Sequence, residues 1–86
     1  MPKTARNIIG PQVRRFRVQQ NLSQSELAVR LQLAGLDWGR VALAKIEGQI
    51  KKVSDAEIYV IARVLGVQID TLFPEEERVK EFLSLL

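Results

Sequence analysis

The sequence predicts an all-α domain, and three observations carry that prediction. Apolar residues recur at helical rather than alternating spacing in successive segments. Two serine-led capping boxes, "SQSE" at 23–26 and "SDAE" at 54–57, mark helix starts. Glycine, asparagine and proline punctuate the chain closely enough for short helices with tight joints. No repeat, low-complexity tract or alternating strand interrupts this pattern.

The first helix carries Ile9, Val13 and Phe16, then Gln20, along one stripe and runs to about Gln20. Pro11 is tolerated because it falls in the opening turn. Arg14 and Arg15 point away from the stripe, and Arg17 lies at its edge, where a long side chain can be partly buried. Asn21 suits the helix end because asparagine tolerates the left-handed conformation there. The second helix starts at the Ser23–Glu26 capping box and turns Leu27, Ala28 and Leu31 inward.

Gly35 breaks the next joint, "QLAGLD", and Asp37 can cap a third helix over about 38–47, in which Val41, Leu43 or Ala44, and Ile46 can face inward. Trp38, just inside that cap, fits as a plug for the joint, since tryptophan buries much apolar area. Gly48 ends the helix, and a basic "GQIKKV" follows. The Ser54–Glu57 box then opens a fourth helix with Ile58, Ile61, Ala62 and Leu65 inward and Gly66 as its stop. A short helical turn capped by Asp70 precedes the last helix. That helix is expected to have Pro74 at its first position, three glutamates in its first turn, and Val79, Phe82, Leu83 and Leu86 on one face.

Eighty-six residues, 47% hydrophobic and 27% charged, suit one small globular domain. A chain this short buries a modest fraction of its surface, so a second copy is a reasonable source of further burial. It has no cysteine and no histidine. Disulfide frameworks, thiolate metal sites and the commonest general base are thereby removed, and neither metal nor cofactor is expected. With no nucleophile–base pair visible, an enzyme is the least favoured class. No apolar run is long enough to span a bilayer and "MPKTARNIIG" lacks the apolar stretch of a signal peptide, so a soluble cytoplasmic protein is expected.

The net charge of +3 conceals a division. Residues 1–52 hold ten basic and three acidic side chains, a net +7, whereas residues 53–86 hold three basic and seven acidic, a net −4. The first half suits a polyanion and the second suits a different task.

The second and third helices, joined by a glycine-containing turn and flanked by basic segments, make a helix-turn-helix candidate. "LSQSELA", then "ALAKIEG", then "SDAEIYVIARVLGVQIDTLF" resemble the Cro and lambda-repressor-like, or XRE-type, helix-turn-helix family over residues 8–73. The resemblance implies a compact five-helix DNA-binding domain, to which this chain adds a basic arm at 1–7 and a C-terminal amphipathic helix at 74–86. It implies a sequence-specific transcriptional regulator that binds double-stranded DNA as a dimer. Base-reading positions correspond to Gly39, Arg40, Val41 and Lys45. Arg40 and Lys45 can donate to guanine O6 and N7, while Val41 offers only an apolar contact. Gln24 matches the phosphate-contacting glutamine at the second helix's N-terminus, where dipole and free amides favour an anion. Lys51 and Lys52 lie where the family grips the DNA backbone, and Lys3 and Arg6 of the arm can reach it too.

The resemblance also pairs Arg17 with Glu47 as a structural ion pair. The spacing from Leu22 to Glu47 is longer than in the compact phage repressors, with "LQLAGLD" absorbing the difference. The last helix has two readings: it completes the monomer's core, or it offers Val79, Phe82, Leu83 and Leu86 to a second subunit, the reading favoured because the family's domain is complete near Phe73. A competing function is a protein-interaction adaptor or antitoxin-like module, with the acidic half docking another protein.

Overall fold

A computed structural model describes residues 5–86. It contains five α-helices: α1 (Gly10–Gln19), α2 (Gln24–Leu33), α3 (Arg40–Glu47), α4 (Asp55–Leu65) and α5 (Glu76–Ser84). A single 3-10 turn, Ile69–Leu72, lies between α4 and α5, and no strand occurs among the described residues.

Ile9, Val13, Leu27, Leu31, Leu43, Ile46, Ile61 and Leu72 are fully buried in one core. Each of α1 to α4 and the 3-10 turn contributes to it. Both capping boxes form: the Ser23 hydroxyl accepts from the Glu26 amide at 3.0 Å, and the Ser54 hydroxyl from the Glu57 amide at 3.1 Å. In the first, the Ser23 amide and then its hydroxyl hold the Glu26 carboxyl below its ordinary pKa, because both bonds favour its charged form.

The first four helices close with one hydrogen-bond pattern. The amide after the left-handed residue reaches back five residues, from Leu22 to Arg17, Leu36 to Leu31, Ile50 to Lys45 and Val67 to Ala62. Among the described residues, those that adopt positive φ are Asn21, Gly35, Gln49 and Gly66. Three of them are types that accept this conformation readily; Gln49, at φ 63°, is not.

Four expectations are corrected. Asp37 does not cap α3: the N-cap is Gly39, and the helix starts at Arg40 rather than near 38. Trp38 is the cause, since its side chain is buried, its amide donates to Leu36 O at 2.8 Å and its carbonyl accepts from Gln32 Nε2 at 2.7 Å. These bonds hold residues 36–39 outside the helix. With the start at Arg40, the buried face is Leu43, Ile46 and Glu47, so Val41 falls on the opposite side and is 59% exposed rather than inward.

Asp70 likewise lies inside the 3-10 turn, whose N-cap is Gln68, with Thr71 Oγ1 donating to Gln68 O at 2.6 Å. Pro74 precedes α5 instead of opening it, because Phe73, as the residue before proline, is extended and Glu75 at ψ 161° prolongs that conformation as the N-cap.

α5 contributes no buried residue. Val79 and Phe82 are half-buried, while Leu83 is 60% and Leu86 87% exposed. Pro74 and Glu75, leading into it, and Arg78 of its first turn border an open cavity of about 540 Å³ against Ile8, Pro11, Gln12 and Arg15.

Candidate nucleic-acid interface

α3 has only eight residues, RVALAKIE, and its two sides do different work. Leu43 and Ile46 enter the core, and Glu47 follows them inward as a charged group that requires a partner. Arg17 of α1 supplies it. Its Nε donates to Glu47 Oε2 at 2.7 Å and its Nη2 to Oε1 at 3.1 Å, a two-point contact with side-chain exposures of only 11% and 3%. Arg17 Nη1 also donates to Leu22 O at 2.7 Å, which ties the α1–α2 joint to the same carboxylate.

The network continues to the surface. Gln24, the first residue of α2, donates from Nε2 to Glu47 Oε1 at 3.2 Å. Its Oε1 accepts from Arg40 Nη1 at 3.4 Å. Gln24 is thus half-buried and committed on both sides, with one amide proton left over. Arg40 leads α3, held beside the N-terminus of α2.

Arg40, Val41 and Lys45 are exposed on α3's outer side, and Gly39 is exposed at its cap. No side chain caps α3, and the space around Gly39 is open. Lys52 is exposed and Lys51 half-buried in the segment that follows, while Arg6 is exposed and Lys3 lies outside the described residues. Among the described residues, no acidic or thiol cluster fit for a metal ion occurs, and no helix is long and apolar enough to cross a membrane.

Sequence reasoning missed two buried polar residues here, Asn7 and Gln49. Asn7 Nδ2 donates to Ile46 O at 3.1 Å and to Lys51 O at 2.8 Å, and its Oδ1 accepts from the Gly10 amide at 2.8 Å. Gln49 Nε2 donates to Asn7 O at 3.0 Å. The asparagine three residues ahead of Gly10 is a capping signal that was available in the sequence. Gln49, in a basic loop after a glycine, carries none.

Two helices crossing through a short joint, the second with a buried back and a cationic front, define a helix-turn-helix domain of the DNA-binding class. A family profile described as Helix-turn-helix matches residues 13–72, from α1 to the end of the 3-10 turn. The chain belongs to the Cro and lambda-repressor-like, XRE-type helix-turn-helix family, and with it to the DNA-binding regulators. No curated protein and no solved structure matches it.

Proposed function

We propose that the protein is a sequence-specific, cytoplasmic transcriptional regulator that binds duplex DNA as a dimer, with α3 in the major groove. The observation that carries this reading is α3's outer side, where Arg40 and Lys45 stand exposed on a helix whose back is fixed in the core. In the groove, both donate to guanine acceptors, exposed Val41 meets a thymine methyl, and Gly39 allows close approach. Gln24, through its remaining amide proton, joins Lys51, Lys52, Arg6 and Lys3 on phosphates. Of the arm at 1–7, residues 6 and 7 are tied by hydrogen bonds to the 8–73 domain, to which the helix near the C-terminus is an accessory.

Selection of binding sites from random duplex DNA tests the reading. The expected product is a pseudo-palindromic site with half-sites about 34 Å apart. Arg40→Ala and Lys45→Ala are each expected to cost about 1–3 kcal/mol at that site and to relax discrimination there. Undiminished binding by both variants would contradict the base-reading assignment.

For the dimer, support comes from α5, where Val79, Phe82 and Leu83, with Leu86 just past the helix end, form an apolar stripe while the core is complete without it. Replacing Phe82 and Leu83 by serine is expected to halve the mass seen by light scattering and leave the helical content of the domain unchanged. The same partly exposed face supports the second reading, an adaptor or antitoxin-like module whose acidic C-terminal half binds another protein. That reading takes over if the protein shows no retention on duplex DNA at low salt yet captures a protein partner.

A further inference from the structure

The exit of α3 shares the hydrogen-bond pattern of the other helix ends but not their choice of residue. Gln49 holds a left-handed conformation, φ 63°, that strains a residue with a side chain, where Asn21, Gly35 and Gly66 serve elsewhere. What the glutamine side chain adds is visible in its surroundings: it is 7% exposed and donates to the Asn7 carbonyl. The Arg6 amide donates back to Gln49 O at 2.8 Å. Asn7 completes the joint through Ile46 O and Lys51 O.

Four hydrogen bonds therefore stitch residues 6–7 to 46–51. Two consequences follow. The carbonyls at α3's C-terminus, whose partial negative charge repels phosphate, receive donors: Ile46 O accepts from both Asn7 Nδ2 and the Gln49 amide. Arg6 and Lys51, far apart in sequence, are also fixed on one backbone platform. An arginine on a free chain end would lose conformational entropy on reaching a phosphate, and here its backbone is already ordered.

We propose that Asn7 and Gln49 form a latch that holds Arg6 and Lys51 as one phosphate clamp at the exit of the recognition helix, with Asn7 the positioning residue. This rests on the DNA-binding reading above. The two cations then engage the DNA backbone as a unit, and breaking the latch disconnects Arg6 without removing a charge.

The test is equilibrium binding of the full chain to a random-sequence duplex over a salt series, because the slope of log K against log salt counts phosphate contacts at about 0.9 each. Arg6→Ala is expected to lower the slope by about one contact. Asn7→Ala, which removes no charge, is expected to lower it by about the same, and Arg6→Ala made on top of Asn7→Ala to lower it no further. A purely structural role for Asn7 leaves the slope of the folded variant unchanged.

Should Asn7→Ala not fold, Gln49→Gly serves in the same cycle, since it removes the side-chain bond while suiting the backbone conformation. Hydrogen exchange on the unaltered protein gives an independent reading, with the Arg6 amide expected to be protected. An unchanged slope in the folded latch variants, an equal Arg6→Ala effect with and without the latch, or an unprotected Arg6 amide would overturn the proposal. Failure of the unaltered protein to bind duplex at the lowest salt would instead overturn the DNA-binding reading beneath it.

Discussion

Replacing Glu47 by alanine is expected to remove about 3–5 kcal/mol of folding stability, measured by urea denaturation followed by circular dichroism. The cost comes less from the attraction lost than from the charge left behind. Arg17 is nearly as inaccessible as Glu47, so its guanidinium would stay where water reaches it poorly, facing no anion. Gln24 Nε2 would lose its acceptor as well. Small domains rarely hold more than about 5–15 kcal/mol in total, so the variant should be close to unfolding at ambient temperature. Glu47→Gln is expected to cost less, because one amide oxygen still accepts from Arg17. A loss below about 1 kcal/mol for Glu47→Ala would mean that the pair behaves as an exposed surface bridge.

Gly10→Ala is expected to cost about 3 kcal/mol, the upper end of the range for overpacking. At an ordinary helical position the same change stabilises by about 0.5–1 kcal/mol, so the sign itself is diagnostic. A methyl group at Gly10 would overlap the Ile46 carbonyl oxygen and lie 2.9 Å from that of Glu47. Both are backbone atoms at the end of α3 and cannot step aside as a flexible side chain would. The same denaturation experiment checks it. A neutral or stabilising result would show that α1 does not start against the end of α3.

These two positions show how unevenly the sequence discloses the structure. α2 and α4 could be placed to the residue because their starts depend on local chemistry, a serine and a glutamate three residues apart. α3 was misplaced by a residue that was locally right: Asp37 is a good cap, but burying Trp38 takes precedence over local preference. α5 began later than Pro74 suggested for a similar reason, since the extended backbone around the proline persists through Glu75.

Of the site, the exposed Arg40 and Lys45 and the Arg17–Glu47 contact lie where the family resemblance led one to look. The resemblance did not disclose that Gln24 spends its side chain inside the protein, bridging Glu47 and Arg40. Gln49, the Gly10 approach and the long-range half of Asn7's bonding were illegible because each depends on a contact across roughly forty residues of chain, and no local pattern encodes such a partner.

The eight residues of α3 divide their obligations by side. Leu43, Ile46 and Glu47 answer to the fold, whereas Val41 and Lys45 answer to solvent; of the outward side chains, Arg40 has one described hydrogen bond to the rest of the protein, to Gln24. Changes at 41 and 45 should therefore move stability by no more than about 0.5 kcal/mol. In the reading proposed above, the protein's address and its architecture are written on opposite sides of the same short helix, so changes at 41 and 45 would rewrite the first while leaving the second untouched.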